Sequence, residues 1–227
     1  MAASPRRFDA KAEQFHYARE PIVPVTVEDL DRLEADMRLW VPEFPGLFKG
    51  KTILDLGAGK APLGTLVAMR FSPARVVSAE LGFHRLRSGL PWSKQLDKLD
   101  LVCGDAFSLP FRESSFNYVL ANSLLPHLPD VRQAAREIAR VLCPGGLYIG
   151  REPNFNNPFV LHMVFTIRKK LFGRQITPNE YPLRAQEILR AFAEAGCDCE
   201  IGYFWRRLPS LRHPILSAAM SVYARRL

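Results

Sequence analysis

With 227 residues, 48% of them hydrophobic and 24% charged, the chain is long enough for one sizeable core and a small appendage, and its apolar content excludes a disordered protein. The formal charge of +8 is unevenly spread: residues 1–150 hold 19 Lys and Arg against 17 Asp and Glu, whereas residues 151–227 hold 12 against 6. That basic C-terminal third admits an anionic partner (a nucleic acid, a membrane surface or an acidic substrate) as well as a plain solvated surface. Cys103, Cys143, Cys197 and Cys199 have neither zinc-site nor CxxC spacing, so no metal is expected. No stretch reaches the ~18 apolar residues of a membrane span, and residues 1–15 lack the apolar run of a signal peptide; the expectation is a reduced, cytoplasmic protein.

In chain order, residues 1–24 read as a polar arm. From Thr26, Leu30, Leu33, Met37 and Trp40 recur at helical spacing, with Thr26 and Asp29 placed as an N-terminal cap. Residues 1–48 are thus an arm and helix expected to cover the site, and residues 49–227 the main domain. Strand and helix then alternate. Residues 51–57 (KTILDLG) form an apolar run closed by a glycine, 62–70 a helix, 74–81 a second strand and 83–90 a helical segment. Residues 99–105 and 116–122 are the third and fourth strands. A helix over 131–142 is capped by Asp130, stopped by the CPGG of 143–146, and followed by a fifth strand at 147–150. Strands without polar alternation, separated by helices, predict a parallel sheet covered on both faces. Residues 182–196 make a helix ending at Gly196. The two final strands, 197–207 and 217–227, lie too close for a parallel crossover and must pair antiparallel. The fold class is therefore α/β: a doubly wound seven-stranded sheet, mostly parallel, with an antiparallel C-terminal strand.

In such a sheet a ligand binds outside the carboxyl ends of the strands. Asp55, Glu80 and Asp105 fall at the ends of the first three strands, 25 residues apart each time, so all three reach one edge. The loop Asp55-Leu56-Gly57-Ala58-Gly59 turns the first strand into its helix, with glycines that let a ligand approach the backbone. A pyrophosphate site would favour GxGxxG, but the third position holds Pro62, and an acid before the first glycine suits a cationic ligand better. Glu80 is suited to accept from the two hydroxyls of a ribose.

ILDLGAG, VVSAEL, GDAFSLPF, SFNYVLANSLLPHL and REIARVLCPGGLYI, in this order, resemble the class I methyltransferases, most of all the small-molecule branch called the methyltransferase-11 group, whose sheet is Rossmann-like. The resemblance implies S-adenosyl-L-methionine as cofactor. It implies that the Asp55–Gly59 loop holds the methionine part and that Glu80 binds the ribose with Leu81 bordering the adenine. Asp105 would bind the adenine amino group with Ala106 beside it, and Asn122 and Ser123 would lie under the reaction centre. Three positions depart from the family pattern: Ala61 replaces a third glycine, Glu80 an Asp, and Asn117 an Asp of the fourth strand.

Methyl transfer from a sulfonium is an in-line displacement that depends on alignment in a dry site and needs a base only if the nucleophile must lose a proton. His127, in the loop after the fourth strand, is the candidate base, with packing over the cofactor as its alternative role. Glu152, Asn154 and His162 are candidate substrate contacts. Residues 152–181 form the expected substrate cap. Within it, residues 157–173 are apolar and then basic, which fits peripheral membrane contact and a hydrophobic acceptor, or a helix over the site with Arg168, Lys169 and Lys170 in solvent. The expected partner is a small-molecule substrate. An RNA or other macromolecular target and a non-catalytic cofactor-binding subunit are the alternatives; nucleic acid is disfavoured because Asn122-Ser123-Leu124-Leu125 lacks the Pro-Pro-aromatic tetrad of base-directed enzymes. The acceptor atom and oligomeric state are left open.

Overall fold

Alternate residues of the central strands enter two different cores. The structure, a computed structural model, describes residues 17–18, 21–168 and 180–227. Its strands are β1 (Thr52–Leu56), β2 (Arg75–Glu80), β3 (Leu99–Cys103), β4 (Phe116–Asn122), β5 (Leu142–Pro153), β6 (Cys197–Phe204) and β7 (Ala219–Arg226). Around them lie α1 (Val27–Met37), α2 (Pro62–Arg70), the short α3 (Phe83–Leu86) and α4 (Leu90–Ser93), α5 (Val131–Val141), α6 (Pro158–His162) and α7 (Ala185–Glu194). The sheet order is β3-β2-β1-β4-β5-β7-β6. β1 to β5 are parallel, and β7 inserts antiparallel between β5 and β6, so β6 again shares the direction of the others.

Leu54, Val77, Val119 and Tyr148 join a core with Ile138 of α5 and Ile188 and Phe192 of α7. Their neighbours Ile53, Val76, Leu120 and Ile149 join a second core with Leu30 and Met37 of α1 and Leu66 and Val67 of α2. Burial on both faces is why these strands read as unbroken apolar runs. Tyr148 stacks on Phe192 with ring centroids 4.9 Å apart. α1 begins with a full capping box: the Thr26 hydroxyl accepts from the Asp29 N–H at 3.2 Å, and Asp29 accepts from the Thr26 N–H at 3.0 Å.

Four expectations change. α1 packs on a sheet face beside α2 and does not line the site cavity, because its apolar stripe is used up by that core; among the described residues of 1–48, Tyr17 lines it. Residues 83–90 are broken into α3, a 3₁₀ turn and the start of α4. The CPGG of 143–146 does not stop α5 before a strand. β5 starts at Leu142, and these residues bulge from it, with Phe116 opposite Leu142 and Tyr118 already opposite Leu147. Gly145, at φ +74°, makes the bulge sterically accessible. At its other end β5 runs on to Pro153, so Arg151 and Glu152 are strand residues paired with β7 rather than a following loop.

Candidate active site

β1 ends at Leu56, and the chain turns into α2 through three left-handed residues: Gly57 (φ +68°), Gly59 (φ +56°) and Ala61 (φ +61°). At Gly57 a Cβ would lie 2.6 Å from Leu124 Cδ1, so only glycine permits this approach to the turn after β4. Ala61 adopts its conformation at a strain of about 1 kcal/mol.

Asp55 is 2% exposed. Its Oδ2 accepts from the Ser78 hydroxyl and from the Gly64 N–H, each at 2.9 Å, which pins the first turn of α2 to β1 and β2. Burial, reinforced by nearby Glu80 and opposed by those two hydrogen bonds, pushes its pKa up to about 7. Gly64 is where helix and strand touch: a Cβ there would lie 2.0 Å from Ser78 Oγ. At the end of β2, Glu80 Oε2 accepts from the Gly59 N–H at 2.8 Å and Oε1 from the Gly82 N–H at 3.1 Å. Arg85 Nη1 stands 3.8 Å from the same carboxylate, and its guanidinium lies 3.9 Å from the centre of the Tyr17 ring. Beyond β3, Asp105 Oδ1 accepts from the Phe107 N–H at 2.9 Å.

After β4, Asn122 Oδ1 accepts from Arg151 Nη1 at 3.1 Å, and Ser123, at φ +56°, donates its N–H to the Arg151 carbonyl at 2.7 Å. Leu124 and Leu125 both donate their N–H groups to Glu152 Oε1, at 3.3 and 3.2 Å. His127 closes the 3₁₀ turn Leu125–His127.

These pieces enclose a cavity of about 450 Å³ at the carboxyl edge of the sheet, within the range of small-molecule sites. Asp55, Leu56, Gly57, Ala58, Gly59, Glu80, Leu81, Asp105, Ala106, Asn122, Ser123 and His127 all line it. The three expected substrate contacts do not. Glu152 is completely buried on β5, where it supports the Leu124–Leu125 turn from beneath; burial pushes its pKa up to about 8, and its Oε2 has no hydrogen-bond partner among the described residues. Asn154 is completely buried and donates to the carbonyls of Pro214 (2.9 Å) and Ser217 (2.8 Å), which anchors the β6–β7 loop. His162 is exposed on α6 and outside the lining. Of the expected cap, residues 169–179 lie outside the described residues, and none of the rest lines the cavity. Sequence reasoning missed Tyr17, Lys60, Arg85, Phe107, Leu124 and Leu128. Leu124 and Phe107 follow positions already singled out; Tyr17 and Arg85 carry no local signal.

Residues 54–150 match the family described as a methyltransferase domain. The chain is 29% identical over 167 residues to a demethylmenaquinone methyltransferase of Staphylococcus aureus, covering 66% of this chain and 69% of that one.

The matched segment is a class I S-adenosylmethionine-dependent methyltransferase domain.

The fold agrees with solved structures. A geranyl diphosphate methyltransferase in complex with GPP and sinefungin superposes with a TM-score of 0.70 at 14% identity, over 96% of this methyltransferase and 99% of the other chain. The [4+2]-cyclase SpnF superposes at 0.68 with 16% identity, over 98% and 97%. S-adenosylmethionine is the cofactor, and the donor set fits it. Glu80 at the end of β2 offers acceptor oxygens beside a turn in which Gly57 and Gly59 carry no Cβ, and Asp105 offers them at the end of β3, as a diol and an amine need and a pyrophosphate does not. Among the described residues of the methyltransferase, no group of three or more His, Cys, Asp or Glu could hold a metal, and no helix is long and apolar enough to cross a membrane.

Proposed function

We propose that this methyltransferase acts on a small-molecule acceptor of largely apolar character. The observation that supports it best is the common lining of one cavity by Asp55, Glu80 and Asp105 on the polar side and Leu81, Phe107, Leu124 and Leu128 on the apolar side. Relatives named for demethylmenaquinone and geranyl diphosphate methylation favour the same acceptor class. Bound S-adenosylmethionine supplies a methyl carbon activated by its sulfonium. Glu80 accepts from the ribose hydroxyls, Leu81 and Ala106 border the adenine, and Asp105 accepts from its amino group. The Asp55–Gly59 turn carries the methionine part, and Asn122 and Ser123 form the floor at the transferring carbon. His127 takes the proton that a hydroxyl or amine acceptor loses on attack. The enzyme works in the cytoplasm, with peripheral membrane contact through the 157–173 segment, where Phe159 is 61% exposed.

The test is incubation with methyl-labelled S-adenosylmethionine and, separately, an organic-solvent extract of cells, total RNA and total protein. Label in the extract alone is expected. Label in RNA or protein overturns the acceptor class, and retained cofactor binding with no labelled product supports a non-catalytic partner subunit instead.

A further inference from the structure

A second cavity of about 560 Å³ adjoins the first and shares Ser123 with it. It sits where β5, β6 and β7 meet, and its lining includes Arg151, Arg206 and Arg207, with Trp205 as an aromatic wall and, among the described residues, no acidic one. Asp36 of α1 approaches two of these arginines, 3.5 Å from Arg151 Nε and 3.7 Å from Arg206 Nε. Among the described residues, one carboxylate against three guanidiniums leaves an excess of positive charge. The surrounding sequence does not offset it: residues 201–227 contain five arginines and no Asp or Glu. Arg151 also couples the two cavities, because its Nη1 donates to Asn122 Oδ1 in the first at 3.1 Å. Arg206 is 67% exposed at its side chain, so it can turn onto a ligand without breaking core packing.

We infer that this second cavity is an anion subsite that holds a phosphate or diphosphate group of the acceptor while the acceptor's reactive end reaches Ser123. The inference deepens the small-molecule reading above and rests on it. Guanidinium forks pair with phosphate oxygens through two parallel hydrogen bonds, and three of them supply more donors than one carboxylate can accept. The shared residue Ser123 gives the geometry its direction, with the anion anchored on one side and methyl transfer on the other. Free phosphorylated metabolites and the headgroups of phospholipid-like acceptors present the same chemistry.

The test is a titration of the full chain, saturated with S-adenosylhomocysteine, with inorganic pyrophosphate, followed by tryptophan fluorescence. A Trp205→Phe variant identifies the reporting residue. Saturable binding is expected, weakened roughly tenfold or more in Arg206→Ala/Arg207→Ala through loss of charge-assisted hydrogen bonds. Affinity for S-adenosylmethionine stays unchanged in that variant, which also shows that it is folded. Equal titrations of wild type and variant, or no saturation in the wild type, overturn the subsite. Failure of S-adenosylmethionine to bind the wild type would overturn the small-molecule methylation reading instead. In a second arm, phosphatidylglycerol vesicles that displace pyrophosphate uphold the subsite with a lipid headgroup as occupant. Displacement by neither these nor phosphatidylcholine vesicles upholds it with a free phosphorylated acceptor.

Discussion

Glu80 and Gly59 lie 21 residues apart, and a 2.8 Å hydrogen bond from the Gly59 N–H to Glu80 Oε2 ties the glycine turn after β1 to the end of β2. One carboxylate thus shapes the loop and faces the cavity. Glu80→Ala is expected to weaken S-adenosylmethionine binding about 10- to 100-fold, the value of one or two hydrogen bonds to a charged group. Glu80→Gln keeps an acceptor for Gly59 and falls between. Calorimetric titration of the three proteins checks this, and an Ala variant within threefold of wild type would remove Glu80 from the site.

Gly64 is a point where α2 packs directly on β2. Gly64→Ala places a methyl 2.0 Å from Ser78 Oγ and 3.0 Å from Asp55 Oδ2, in a region without free space. Overpacking there is expected to cost about 3 kcal/mol in denaturant unfolding. Gly64→Ala/Ser78→Ala recovers part of the loss because the nearest obstructing atom is gone. A single variant as stable as wild type would contradict the packing described.

Glu152 makes stability depend on pH. Its pKa rises from 4.5 to about 8 on folding, because burial disfavours the charged form. The folded state therefore holds a proton that the unfolded state releases, and the resulting stability is complete below pH 4.5 and lost as pH rises through about 8. Glu152→Gln keeps an oxygen for the Leu124 and Leu125 N–H groups and cannot ionise. The stability lost between pH 5 and pH 9 is expected to be at least ~2 kcal/mol smaller in this variant. Urea titrations at the two pH values decide the point; parallel losses in both proteins would contradict it.

Asp55, with a pKa of about 7, is partly protonated near neutrality. A cationic cofactor above its loop favours the carboxylate, so binding releases a fraction of a proton at pH 6.5 and almost none at pH 8.5. Affinity accordingly rises with pH up to about 7 and then levels. Calorimetry in two buffers of different ionisation enthalpy measures the released protons. Asp55→Asn should abolish the release, and proton uptake by the wild type would contradict the linkage.

The parts of this molecule that follow local rules were legible in the sequence. Asp55, Glu80 and Asp105 could be placed on one edge because each ends an apolar strand, and strand direction then dictates where they arrive. The capping box of Thr26 and the antiparallel closing strand were equally local. Gly64 shows where such reasoning thins: it packs helix on strand while its N–H holds Asp55, a role that no local spacing announces. Glu152 and Asn154 looked like ligands because polar residues beyond a strand usually face the site. The strand runs three residues further than its apolar pattern, so Glu152 pairs with β7, and Asn154, just past the strand end, is buried against the β6–β7 loop; both side chains become internal supports. Tyr17 and Arg85 meet only through tertiary structure, so no spacing rule links them.

The central claim is that the cavity between Glu80 and Asp105 takes an adenosine-bearing sulfonium and not a dinucleotide. Parallel calorimetric titrations of the wild-type protein with S-adenosylmethionine and with NADH test it most directly. The expected result is saturable one-to-one binding of S-adenosylmethionine, displaced by S-adenosylhomocysteine, and no heat from NADH. Binding of NADH, or none by S-adenosylmethionine, would contradict the account of this site.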